Sequence, residues 1–288
     1  MNSKESESSS AIRIGMVNYI NTAPIYEVWK RTVTDERFIV VEEQPAVLNR
    51  MLASERIDLG FVSSHEYCAR PEKYRILHDL SISSTGPVGS VFLFSHTPME
   101  QLDNTLVLLS NQSETSVCLV KIILEEFIGI QPQYIVGEVF GNISNSCQAV
   151  LAIGDDALRL VSDGMYAYQY DLGEIWNKQT GLPFVFSVCV VREEFCREHG
   201  SLVEEVQKAL VNCREQGKKE MSSICSRVAP RIPMDSDACY SYLQALEYDL
   251  GESKCLALEK FFSYLIDRGE ASRQALPLRF YPALAQKF

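Results

Sequence analysis

The chain has 288 residues, 46% hydrophobic and 23% charged, an ordinary globular composition long enough for two lobes of about 100–150 residues each. Its formal net charge of -11 argues against nucleic acid or an anionic membrane surface as the main partner, because phosphate binding needs clustered Lys and Arg. Any anionic ligand must therefore be held by local donors and helix dipoles against an unfavourable overall field.

The first string, "MNSKESESSS", is polar and acidic with no apolar core, so residues 1–11 are expected to be a disordered leader rather than a signal peptide. The longest apolar stretches, within 106–109 and 183–191, fall far short of the ~18 residues of a spanning helix. A soluble cytoplasmic protein is the expectation.

Strand-like runs at 12–17, 37–42, 58–62, 75–80, 88–95, 104–109, 133–136, 150–153 and 183–192 alternate with helix-like segments at 23–32, 45–54, 115–128, 142–148 and 154–161. This alternation predicts an α/β fold with parallel sheets covered by helices on both faces. After Arg192 the pattern becomes a series of amphipathic helices over 193–267. The clearest is 203–217, where Val203, Val206, Leu210 and Cys213 fall away from Glu204, Glu205, Lys208 and Arg214. These helices could form a helical third domain, but are expected to pack back on the first sheet. The domains then read as 12–94 plus 190–288 for a discontinuous first lobe and 95–189 for the second, with crossover strands near 88–95 and 183–192.

Five short strings stand at strand ends and helix starts. In "NYINTAP" (18–24), Asn21 or Thr22 is a suitable N-cap and Pro24 suits a first helical turn. "VSSHEY" (62–67) and "IGDDAL" (153–158) repeat one device, an apolar strand whose end carries Ser63 and Ser64, or Gly154 and Asp155, into a helix. Ligands in open α/β sheets lie at such carboxyl ends. "STGPVGSV" (84–91) turns on Gly86, Pro87 and Gly89 and presents Ser90 at a strand start, or is simply a turn. In "SNQSETSV" (110–117), Ser113, Thr115 and Ser116 crowd a helix start, as an anion cradle or as an overdetermined cap. Together the strings predict a polar cleft for one small anion.

Nine cysteines, with no C-x-x-C pair, mostly fall inside apolar or helical segments and read as buried reduced thiols. Four histidines (65, 78, 96, 199), none at ligand spacing to another or to a cysteine, predict no transition-metal site.

The strings "NYINTAP", "GFVSSHEY", "DLSISSTGPVGSV", "SETSVCLVKIIL", "AIGDDALR" and "YDLGEIWNKQTGLPFVF" resemble, in order and spacing, the chorismate dehydratase family of the futalosine route to menaquinone. The resemblance covers about 12–192 well and the helical tail loosely. It implies a two-lobed fold like type II periplasmic binding proteins, with the ligand in the cleft between lobes. It also implies conversion of the dianion chorismate to 3-[(1-carboxyvinyl)oxy]benzoate and water, with no metal or organic cofactor. Asn21 and Ser90 would form the essential polar pair, and Thr115 and Ser116 would hold a carboxylate. Three candidates for the base follow: the substrate's own enolpyruvyl carboxylate, Glu66, or Asp155, the last two reading better as helix-start charges. His65 stands where the family often has an aliphatic residue, and is expected simply to flank the cleft. The sister enzyme that makes 1,4-dihydroxy-6-naphthoate is a second reading, though its first string reads more like "CPND"; a non-catalytic binder of a small carboxylate is a third.

Overall fold

A computed structural model of the chain describes residues 11–141, 144–232 and 234–282. The leader expected at 1–11 lies outside this range but for Ala11. The first lobe opens with β1 (Ile12–Met16), α1 (Ala23–Thr32), β2 (Phe38–Glu42), α2 (Pro45–Ala53), β3 (Leu59–Ser63), α3 (Ser64–Ala69) and the long β4 (Tyr74–Ser84). The second comprises β5 (Val91–Ser95), β6 (Leu106–Ser110), α4 (Glu114–Ile122), β7 (Gln133–Gly137), β8 (Ala149–Ile153), α5 (Gly154–Asp163) and β9 (Tyr168–Asp171). The chain then returns through α6 (Leu172–Thr180) and β10 (Phe184–Arg192) to α7 (Glu193–Glu198), α8 (Gly200–Lys219), α9 (Met221–Val228), α10 (Ser236–Ala245), α11 (Glu252–Asp267) and the short β11 (Phe280–Tyr281).

The first sheet has the order β11-β4-β10-β3-β1-β2 and the second β7-β6-β8-β5-β9. Strand composition accounts for position. All five residues of β3 and of β8 are buried, and these apolar runs take interior places covered on both faces. β2 and β7, with exposed residues along them, lie at the edges.

Three expectations are corrected. The sheets are mixed rather than parallel: β10 runs antiparallel to β3 and β4, and β5 antiparallel to β8 and β9. The chain leaves the first sheet after Ser84 and rejoins it at Phe184, so boundaries at 94/95 and 189/190 fall inside β5 and β10. The crossing occurs where Gly86, Pro87 and Gly89 interrupt strand pairing. Of the helix expected at 142–148, residues 142 and 143 lie outside the described range, and Ser144–Ser146 is a single 3-10 turn.

The helical tail packs on the first lobe. Gly217 of α8 lies against the backbone of Pro24 in α1, where a Cβ would collide with the Pro24 carbonyl. Gln207 donates to the carbonyl of His78 at 3.0 Å, and Arg214 pairs with Asp79 at 2.8 Å. Tail and lobes share one apolar core: Trp176 of α6 is fully buried between Phe184 and Phe261 and donates its indole N–H to Pro183 at 3.0 Å. Among the described residues no helix is long and apolar enough to cross a membrane.

Candidate functional site

The cleft between the sheets holds a cavity whose polar wall is Asn21, Thr22, Ser63, Ser90, Ser113, Ser116, Gly154 and Ser187, over an apolar floor that includes Val17, Phe61, Ile82, Ile153 and Phe186. All of these but Ser187, which lies within β10, stand at a helix start or a strand start, so the N-terminal ends of α1, α4 and α5, with their positive dipole ends, border one space. No Asp, Glu, His, Lys, Arg or Cys lines it; Tyr19 is its one titratable wall residue among those described.

Asn21 does not cap α1. Thr22 takes the N-cap position and its hydroxyl is turned to the carbonyls of Val17 and Tyr19, at 2.6 and 2.8 Å. The Asn21 amide oxygen is buried without a hydrogen-bond partner among the described residues. An unpaired buried acceptor costs about 1–3 kcal/mol, so the position is suited to a donor brought by a ligand.

Ser90 is held from three sides. Its Oγ accepts from the Tyr242 hydroxyl at 2.9 Å, and its carbonyl accepts from the Gly154 N–H at 2.7 Å. The turn before it is anchored by Asp171, which accepts from the N–H groups of Val88 at 3.0 Å and Gly89 at 2.7 Å and also caps α6 through the Glu174 N–H at 3.0 Å. Burial pushes the Asp171 carboxyl above its usual range even against these backbone donors.

Several contacts join the lobes around the cavity. The Tyr19 hydroxyl donates to Gln112 at 2.7 Å, and Gln112 donates to Asp156 at 2.8 Å. The Tyr19 phenol is raised above its ordinary pKa, chiefly by burial and then by the charges of Asp155 and Asp156. The His65 N–H donates to Thr115 Oγ1 at 2.9 Å, and Asn49 donates both to Ser63 Oγ at 2.9 Å and to Glu114 at 3.2 Å.

Of the residues singled out in the sequence, Asn21, Ser63, Ser90, Ser113, Ser116 and Gly154 converge on the cavity, whereas Ser64, Gly89, Thr115 and Asp155 do not line it. Ser64 donates to the Val185 carbonyl at 2.7 Å, Thr115 is occupied by His65, Gly89 by Asp171, and Asp155 faces the Ile20 N–H at 3.5 Å. Glu66 is buried behind the wall, accepting from Tyr74 at 2.7 Å and Arg70 at 2.6 Å. His65 stands behind the wall too, against Glu114.

Tyr19, Gln112, Asp171 and Tyr242 escaped the reading of the sequence. Asp171 had a signal: Asp followed three residues later by Glu174 opens a helix as a capping box does. Tyr242 had none. Eight of the nine cysteines are buried, Cys255 only partly, and no disulfide joins them. Among the described residues no three His, Cys, Asp or Glu side chains gather as a metal site would require.

A family model described as menaquinone biosynthesis matches residues 12–267. The chorismate dehydratase of Thermus thermophilus is 30% identical over 263 residues, 86% of this chain and 93% of that protein. That of Campylobacter jejuni is 29% identical over 177 residues, 60% of this chain and 64% of the relative. Among solved structures, a protein of Archaeoglobus fulgidus is similar with a TM-score of 0.76 at 18% identity, covering 91% of this chain and 99% of its own. The periplasmic aliphatic sulphonate binding protein of Escherichia coli reaches 0.68 at 12% identity, over 97% and 94% of the two chains. These structural likenesses establish a periplasmic-binding-protein-like fold.

Proposed function

The chain belongs to the menaquinone-biosynthesis family, and from that premise we propose that its cleft dehydrates chorismate to 3-[(1-carboxyvinyl)oxy]benzoate in the futalosine route. The protein is a hydro-lyase: the ring C3 proton and the C4 hydroxyl leave as one water, and the ring becomes aromatic. The driving force lies in the product, so the protein has chiefly to orient the substrate and exclude competing eliminations. A cytoplasmic setting is part of the same proposal.

The observation that carries the assignment of roles is the uncharged wall. A dianion is bound there by hydroxyls, amide groups and the ends of α1, α4 and α5 rather than by Lys or Arg. Asn21, with its unpaired oxygen, accepts from the substrate's C4 hydroxyl. Ser90 donates across the ring, and Ser113 with Ser116 holds a carboxylate. With Glu66 tied to Tyr74 and Arg70, and Asp155 off the wall, the substrate's enolpyruvyl carboxylate is the base this reading adopts.

The test is to mix purified protein with chorismate and follow products by chromatography and mass. The wild type yields a product lighter by one water, and folded Asn21→Asp and Ser90→Ala variants lose most of that turnover. Thermal stabilisation by chorismate without turnover would leave a binder; full turnover by either variant would remove that residue from the mechanism.

A further inference from the structure

Tyr242 is contributed by the helical tail, which has no part in the strings that make up the rest of the site. It lies on α10, is buried, and reaches 152 residues back along the chain to Ser90. Its ring packs over Gly89, where a Cβ would stand 3.3 Å from the ring edge. One helical turn on, Leu246 lines the cavity. The segment is pinned to β4 by the Glu247 and Ser83 backbones, each donating to the other at 2.9 Å, and by the Ser81 N–H donating to Tyr248 at 3.1 Å. Its position relative to Ser90 is thus set by the sheet rather than by a loose side chain.

A serine hydroxyl has one proton and two lone-pair sites, and a phenol is the more acidic of the two partners and so the better donor. Burial, the largest influence, raises the Tyr242 phenol and keeps its proton in place. With one Ser90 lone pair filled by Tyr242, the Ser90 proton has no protein acceptor among the described residues and is left for the cavity that Ser90 lines.

We propose that Tyr242 is a positioning residue for the dehydration, donating to Ser90 Oγ so that the serine's own proton is directed at the substrate. The inference rests on the chorismate reading and deepens it, giving the helical tail a part in the chemistry. Tyr242 touches Ser90 and acts through it.

The test is a double-mutant cycle in chorismate turnover with the full-length protein. Tyr242→Phe keeps the ring and removes one hydroxyl; kcat is expected to fall about tenfold with KM changed less than about twofold, the scale of one lost oriented hydrogen bond. Added to Ser90→Ala, the same substitution is expected to change nothing more. A kcat equal to wild type, or an equal further loss in the Ser90→Ala background, overturns the proposal while leaving the chorismate reading intact. A wild type that does not turn over chorismate overturns both. Should Tyr242→Phe not fold, the wild-type protein labelled with 13C at tyrosine Cζ gives a second readout. The Tyr242 signal must move in Ser90→Ala, and an unmoved signal overturns the proposal.

Discussion

The Nδ1 of His65 stands 3.6 Å from the Oε2 of Glu114, joining α3 of the first lobe to α4 of the second. Burial alone would lower this imidazole, but interactions with Cys118 and Glu114 outweigh it and push its pKa up to about 10 from an ordinary 6.5. A base whose folded pKa is raised contributes stability that is full below the unfolded value and is lost as pH rises through the folded one. The stability of the joined lobes should therefore decline between pH 6.5 and about 10. His65→Gln should flatten that decline and cost roughly 0.5–1 kcal/mol at neutral pH, a small figure because Glu114 is half exposed. Thermal melts across this range check it; an unchanged slope would remove the pair from lobe closure.

Gly154 opens α5 at φ +56°, and a Cβ there would lie 3.0 Å from the Tyr19 ring. Gly154→Ala meets two penalties: about 1–2 kcal/mol for the left-handed backbone, and displacement of the ring whose hydroxyl binds Gln112. The melting temperature should fall, and both kcat and kcat/KM for chorismate should fall, since the substitution disturbs the Tyr19 wall and also the Gly154 N–H that donates to the Ser90 carbonyl at 2.7 Å. Steady-state kinetics with calorimetry separates the two effects.

Asp171 holds the Ser90 turn and caps α6 with one carboxylate. Asp171→Ala strands the Val88 and Gly89 N–H groups and removes the cap, a loss of about 2–3 kcal/mol. Asp171→Asn keeps one accepting oxygen and should fall between. If Ser90 acts as proposed, kcat should track this order in a turnover assay run well below each variant's melting temperature. An Asp171→Ala protein that melts early yet keeps full kcat would make Asp171 purely structural.

The strings at strand ends were legible because cap chemistry is local: Ser63 and Ser113 accept from the N–H groups three residues on, as their types and spacing imply. Which neighbour faces the cavity was not. Ser63 ends β3 and Ser64 opens α3, and their side chains diverge: one enters the cavity and the other turns to the Val185 carbonyl in β10. Thr115 is drawn to His65 by contact between lobes, which no local pattern encodes. The reversed directions of β5 and β10 follow from the chain crossing between sheets, whereas apolar runs read alike in parallel and antiparallel strands. Tyr242 lies beyond any periodicity argument, its partner being 152 residues away.

Asp58 precedes β3 at the end remote from the cavity and clasps three neighbouring strands. It accepts from the backbone N–H, Nε and Nη2 of Arg13 at 2.9, 2.9 and 2.6 Å, and from Arg192 Nη2 at 3.0 Å. Burial would raise this carboxyl, but the bonds from Arg13 and Arg192 outweigh burial and hold it below its ordinary 3.8. For a depressed acid the stability is present above the unfolded pKa and disappears as pH falls through the folded one, so the Asp58 contribution should be full above about pH 4 and lost below it. Asp58→Asn breaks the pairing from one side and should cost about 3 kcal/mol at neutral pH. It should also shrink the difference in melting temperature between pH 7 and pH 3 relative to wild type. Because Asp58 touches nothing in the cavity, kcat and KM for chorismate at 25 °C and neutral pH should match wild type; a change in kcat would mean that strain at this end of the sheet reaches the Ser63 end.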